Sequence, residues 1–306
     1  MSVGWPRVLM LFLDGVGIGP ADPRRNPFFA AECPILNGLL GGRMPHLSRR
    51  RATTSHAVLV PLNATLGVPG LPQSGTGQIA LFTGLTAPRL VGKHFGPYPY
   101  SSLRSVVAEQ NIFRKLDEMK RRCQYANAYP QRYLDHLATH PTRTTATVLA
   151  WLSAGMTLNS TSELLNGTAL AADVTSERWV RLGYGNVPIQ TPREAGGRLV
   201  SLLENNEFVL YEYFFTDHAG HSQSMQQATE ILSVLDGLLG GIVDAMDHRW
   251  MTLLLVSDHG NFEDLSTKTH TRNPVPLFVV GANKEHFASR CKNLTHVTPA
   301  ILDALI

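Results

Sequence analysis

Four short apolar runs stand out along the chain. Val8–Leu13 stops at Asp14, Phe208–Phe215 at Thr216-Asp217-His218, and Met251–Val256 at Ser257-Asp258-His259. The fourth, Val275–Val280, stops at Gly281 and is preceded by His270. Continuous apolar runs bounded by turn signals are the pattern of strands buried on both faces. Helical periodicity fills the intervals. Beyond His221, apolar residues recur at Ala228, Ile231, Leu232, Leu235, Leu238, Leu239, Ile242 and Met246, the spacing of one helix face. Ser224 and Gln227 read as a capping box at its start. Glu194–Glu204 and Thr298–Leu305 read as two further helices, the latter with Pro299 in its first turn. Strand alternating with helix predicts an α/β fold, a mostly parallel sheet with helices on both faces.

The middle of the chain breaks this rhythm. Between residues 89 and 192 no apolar run ends in an acid or a histidine, and Pro97, Pro99, Pro130, Pro141, Pro188 and Pro192 punctuate the segment. We expect residues 1–88 and 193–306 to form a catalytic core and 89–192 a small inserted cap.

Composition narrows the class. With 43% hydrophobic residues and a net charge of +3 the chain has the makings of a core, which excludes disorder. The charge does not call for a nucleic-acid partner, and the run Arg49–Arg51 reads as a solvated loop. Cys33, Cys123 and Cys291 are odd in number and far apart, which suits a reducing compartment better than a disulfide framework. The run Val8–Leu13 is too short for a signal peptide, and no stretch approaches the roughly 20 apolar residues of a membrane span. A soluble cytoplasmic protein that binds neither membrane nor nucleic acid is expected.

Ligands of open α/β sheets bind beyond the carboxyl ends of the strands. There the chain delivers Asp14, Asp217, Asp258, His259 and, from the loop before the last run, His270. Asp217 and His221 are four apart, so a helix would place them on one face. So many buried carboxylates and imidazoles repel one another without a cation. Mixed Asp and His ligation suits Zn²⁺ or Mn²⁺ better than Ca²⁺. In Pro72–Gly84, Ser74 sits in a glycine-rich turn ahead of a helix-like stretch. A hydroxyl there meets free N–H groups that attract anions, and a neighbouring metal ion would make it a nucleophile at neutral pH. Thr76 is the rival hydroxyl.

Leu13-Asp14-Gly15-Val16-Gly17, Ser74 with Gly77, Asp217-x-x-Gly220-His221, Ser257-Asp258-His259-Gly260-Asn261 and the run His270–Pro276 occur in that order. Together they resemble the alkaline phosphatase superfamily, in the branch of cofactor-independent phosphoglycerate mutase and phosphopentomutase. The resemblance implies two divalent metal ions, Mn²⁺ or Zn²⁺ with Mg²⁺ as a further choice. Asp217, His221 and His270 would hold one. Asp14, Ser74, Asp258 and His259 would hold the other. Ser74 would attack phosphorus and become transiently phosphorylated.

This chain departs from the mutases at Gln78, where they carry a histidine, and in its shorter length. A small cap favours hydrolysis of a small phosphorylated metabolite over mutase chemistry. A phosphomutase and a non-catalytic metal-binding protein of the same fold are the alternatives. A sulfatase would need a Cys/Ser-x-Pro-x-Arg motif, which Ser74-Gly75-Thr76-Gly77 lacks. Cations for a phosphorylated substrate are expected from Lys93, His94 and Arg272, with Arg89 beside the first two and Arg143 and Arg178 deeper in the cap; Asn127–Pro130 with Tyr133 reads as cap core, with an aromatic wall as the alternative.

Overall fold

The structure, a computed structural model, describes residues 5–306. Its strands are β1 (Arg7–Leu13), β2 (Ala52–Thr53), β3 (Ala57–Leu62), β4 (Cys123–Tyr125), β5 (Asn127–Ala128), β6 (Leu170–Ala171), β7 (Phe208–Tyr213), β8 (Met251–Val256) and β9 (Val275–Gly281). Seven of them form one sheet in the order β2-β3-β9-β8-β1-β7-β4. β1 lies at its centre, parallel to β7 and β8, with Val8 opposite both Phe208 and Thr252. β4 extends the parallel part beyond β7. On the other side β9 runs antiparallel to both β8 and β3, and β2 antiparallel to β3.

Pleating sends successive side chains to opposite faces. Val8, Met10 and Phe12 join Phe208, Leu210, Leu254 and Val256 in one core layer. Leu9, Leu11 and Leu13 join Val209, Tyr211 and Leu253 in the other. Helices cover both layers, which is why the strands read as unbroken apolar runs. The helix Ser74–Thr83 packs on the first face. Pro192–Leu202 and Met225–Ala245 pack on the second. These last two approach so closely that a Cβ at Gly196 would fall 2.3 Å from the Leu238 carbonyl oxygen. Ser224 caps Met225–Ala245 by accepting from Gln227 N–H at 3.2 Å. The Gln227 side chain bonds the Ser222 hydroxyl at 2.7 Å instead of closing a box.

The expected boundary of an inserted cap at 89–192 is corrected. β4 belongs to the main sheet, and Leu103, Val107, Phe113, Leu116, Val148 and Trp151 enter its first core layer. The prolines mark turns between short helices that bury apolar faces against the sheet. What stands apart is smaller: the β5–β6 pair and a separate cluster of Ala128, Leu164, Ala169, Ala171, Trp179 and Val187. Among the described residues no helix is long and apolar enough to cross a membrane. The three cysteines are unpaired.

Candidate metal centre

The antiparallel course of β9 explains why one donor precedes a strand while the others follow theirs. β1, β7 and β8 end at the same edge, where Asp14, the helix Phe215–Ser222 and Asp258-His259 begin. β9 starts at that edge, so the loop before it brings in His270. Gly15 makes the turn after β1 in the left-handed region at φ +71°, and a Cβ there would sit 2.6 Å from Asp217 Oδ1.

The imidazoles converge through Nε2. His221 Nε2 lies 3.3 Å from Asp217 Oδ2 and 3.4 Å from His270 Nε2. His270 Nε2 is 3.7 Å from Asp217 Oδ1. His259 Nε2 is 3.2 Å from Asp14 Oδ1, 3.7 Å from Asp258 Oδ2 and 2.9 Å from Ser74 Oγ. The rings of His259 and His270 stack at 3.8 Å. Behind them, His221 Nδ1 donates to the Lys268 carbonyl and His270 Nδ1 to that of Pro72, both at 2.8 Å. A proton fixed on Nδ1 leaves the Nε2 lone pair facing inward, the arrangement of metal-binding histidines.

Two groups of donor atoms lie within 4.8 Å of one another: Asp217, His221 and His270, and Asp14, Asp217 and His259. Asp217 thus stands between both groups. Asp258 is fully buried beside the second. Its Oδ1 accepts from the N–H groups of Gly15 at 3.3 Å and His259 at 3.0 Å, while its Oδ2, like Asp14 Oδ1, has no donor.

Electrostatics point the same way. Burial, with Asp258 adding repulsion, pushes Asp14 up to about 7, and burial also raises Asp258. Burial opposes a charge on His259, but Asp258 and Asp14 outweigh it and lift the ring to about 10. Burial and the neighbouring His259 push His270 down to about 4. Only the His259 ring offers positive charge to these buried acids, and the orphaned carboxylate oxygens with the inward lone pairs of His221 and His270 fit a divalent cation.

One supporting residue, Glu263, has no counterpart in the motifs read from the sequence, and Asn261, named there only within a motif, gains a definite role. Glu263, wholly buried, ties the loop after β1 to both ends of the β8–β9 connection. Its Oε2 accepts from Gly17 N–H at 2.9 Å and Asn261 N–H at 2.8 Å, and its Oε1 accepts from Asn273 at 2.9 Å and from the Thr271 hydroxyl. Asn261 in turn donates to Asp217 Oδ1 at 2.8 Å. Both follow Asp258-His259 within a few residues, and an acid so near a donor cluster was the available signal.

Ser74 begins the helix Ser74–Thr83 and is nearly buried. Thr76 is engaged elsewhere: its hydroxyl donates to the Gln73 carbonyl at 3.3 Å and accepts from Phe95 N–H at 3.2 Å. Gly77 lets the helix press against the β8 loop, since a Cβ would meet the Asp258 carbonyl oxygen at 3.0 Å.

A cavity of about 630 Å³ opens above this edge. Asp14, Ser74, Gln78 and Asp217 line it, and Gln78 Oε1 is buried without a partner. Tyr98, Tyr129, Tyr133, Trp179, Phe215, Arg132 and Arg178 also line it. So does Glu212, whose carboxylate accepts from the Tyr125 hydroxyl at 2.6 Å; that hydroxyl lies 2.6 Å from the Tyr129 hydroxyl.

The cations expected here are replaced by others. Lys93 and His94 line a separate groove with Pro69 and Gln73. The Lys93 ammonium lies 5.7 Å and 5.4 Å over the rings of Phe95 and Tyr100, and His94 Nε2 is 3.3 Å from the Val68 carbonyl. Phe95 spends both backbone groups on Thr76, which pins this segment beside the helix start with those two cations in the outer groove. Arg272 is not among the cavity's lining residues either; Arg178 and the two tyrosines are.

Residues 186–306 match the family model described as the Metalloenzyme superfamily. The chain is 30% identical over 128 residues to the 2,3-bisphosphoglycerate-independent phosphoglycerate mutase of Desulforudis audaxviator, covering 40% of this chain and 25% of that one. It is 32% identical over 109 residues to the same enzyme of Rhodopseudomonas palustris, covering 33% and 22%. The matched region thus spans about a quarter of these relatives' length. In fold it is similar to a protein of Pyrococcus horikoshii, at TM-score 0.59 and 14% identity over 99% of this chain and 98% of that one. It is also similar to the alkaline phosphatase of the Antarctic bacterium TAB5, at TM-score 0.52 and 12% identity over 98% of each chain.

Proposed function

We propose that this chain, a metalloenzyme resembling the alkaline phosphatase superfamily in fold and motifs, transfers the phosphoryl group of a small phosphate ester to Ser74 and then to water. The observation that carries this reading is the Ser74 hydroxyl, 2.9 Å from His259 Nε2 at a helix start and beside two groups of metal-donor atoms. Asp217, His221 and His270 would hold one divalent ion, and Asp14, Ser74, Asp258 and His259 the other. Mn²⁺ or Zn²⁺ suits this mixture of donors. When bound, such ions supply positive charge that eases ionisation of the hydroxyl and offsets charge on the phosphoryl oxygens.

Ser74 Oγ bonds to phosphorus as the ester P–O bond breaks and the alcohol leaves. Water then cleaves the phosphoserine, restoring the hydroxyl and releasing phosphate. The curated relatives carry the name of a mutase, which would return the group to a reoriented substrate inside a closed cap. The cap's own core here is only a small cluster around a two-stranded pair, which favours water as the acceptor. The unpaired cysteines fit a reducing compartment, and we place the protein in the cytoplasm, acting on a small molecule rather than on nucleic acid or membrane.

Elemental analysis paired with p-nitrophenyl phosphate turnover tests the reading. Two metals per chain and turnover lost on chelation are expected, and no metal uptake from Mn²⁺ or Zn²⁺ solutions would overturn it. Ser74→Ala is expected to abolish phosphoserine, detected by mass spectrometry, and to lower turnover at least about 100-fold. Full turnover in that variant would remove Ser74 from its role.

A further inference from the structure

The cavity above Ser74 has more room than a phosphoryl group needs. Its volume of about 630 Å³ lies within the range of about 300–1,000 Å³ typical of small-molecule sites. Away from the donor edge its lining is rich in flat rings. Tyr133 stacks on Tyr129 at 4.6 Å with 20° between the planes. The Tyr129 hydroxyl is linked through Tyr125 to buried Glu212, which holds that wall in place. The Arg178 guanidinium lies 5.2 Å over the Phe215 ring. Among the described residues no carboxylate pairs with the Arg178 guanidinium. A guanidinium stacked on a ring offers a second planar, cationic surface. These groups line a cavity instead of filling one another's space, so the walls present faces to a ligand.

We propose that the site selects phosphate esters whose organic part is a flat aromatic ring, held against Tyr133 and the Arg178–Phe215 pair. This rests on the phosphoryl-transfer reading above. A saturated group of the same size makes dispersion contacts with these walls but gains neither ring stacking nor the attraction of a cation to a π-face.

Calorimetry on the metal-loaded protein with three phosphonates, which cannot be hydrolysed, separates the two claims. Methylphosphonate reports the phosphoryl site alone. Benzylphosphonate adds a flat ring, and cyclohexylmethylphosphonate a puckered ring of similar size. Benzylphosphonate is expected to bind about tenfold more tightly than the cyclohexylmethyl compound. In Tyr133→Leu and in Arg178→Met, a change at an exposed position, that ratio is expected to fall to about threefold or less. Methylphosphonate binding without a preference for the benzyl compound overturns this inference and leaves the phosphoryl-transfer reading standing. No binding of any phosphonate overturns both. A preference that survives in both variants also overturns the assignment of these walls.

Discussion

The donor edge and the cavity wall face each other but are held in different ways. At the edge, Asp258, His259 and Glu263 are wholly buried, and backbone N–H groups occupy much of the hydrogen-bonding capacity of the two carboxylates. Across the cavity, Arg132 and Arg178 are exposed, and among the described residues neither guanidinium pairs with an acid. The edge is specified by strand ends and loop backbone, the wall by side chains on short elements around a small separate cluster. Reaction chemistry tolerates little displacement, whereas substrate choice is altered by exchanging rings and cations on a fixed base. Changes at the edge are therefore expected to cost stability and metal together, and changes at the wall to alter selection while leaving the fold alone.

The sharpest break is Glu263→Ala, which strands the N–H groups of Gly17 and Asn261 and two side-chain donors. Unsatisfied buried donors cost about 1–3 kcal/mol each before relaxation, so a loss of about 4 kcal/mol in urea unfolding is expected. Arg132→Ala on the wall should stay within about 0.5 kcal/mol of the parent. Equal losses in the two variants would erase the contrast.

Glu212 carries the edge's character into the wall. Burial, reinforced by Asp14 and countered by the Tyr125 hydroxyl, raises its carboxyl from 4.5 to about 7. The folded state therefore holds a proton that the unfolded chain releases. That stability is fully present below pH 4.5 and is lost as pH rises through 7, by up to about 3 kcal/mol. Asp14 titrates in the same window in metal-free protein, so the measurement belongs on metal-loaded protein, where Glu212→Gln should flatten the remaining slope. Identical pH profiles for parent and variant would contradict this.

Asp258→Asn keeps an oxygen for Gly15 and His259 N–H but removes charge. It should lower metal content, and with it the stabilisation that a ligand at a hundredfold excess over Kd gives, about 2.7 kcal/mol. A thermal melt with parallel metal analysis checks this, and an unchanged metal count would refute it. The smallest effect is expected at Lys93, in its outer groove: Lys93→Ala should change kcat/KM for p-nitrophenyl phosphate less than about twofold, under 0.5 kcal/mol. A larger loss would return Lys93 to the substrate.

The edge was legible because its parts obey local rules. An apolar run followed by an acid marks a strand end, and strand ends of an α/β sheet share an edge. Asp14, Asp217, Asp258 and His259 could be grouped on that ground alone. The wall obeys no such rule. Arg132 lies many residues from Ser74 and reaches the cavity only through the packing of helix Gln131–Thr139. Lys93 and His94, close to Ser74 in sequence, are diverted by the two Phe95–Thr76 backbone contacts. β4 was hidden for a related reason: a three-residue strand is too short to show periodicity and becomes visible only beside β7.

The reversal of β9 bears on how the site is assembled. Because β8 and β9 are antiparallel neighbours, the chain leaves and re-enters the sheet at one edge, and Asp258, His259, Glu263 and His270 all fall on that single excursion. Its ends are joined by adjacent strands, so closing it costs little chain entropy compared with bringing in Asp14 or Ser74 from far along the sequence. Part of the donor set can therefore form as a local unit, which the distant Ser74 joins when the helix Ser74–Thr83 docks.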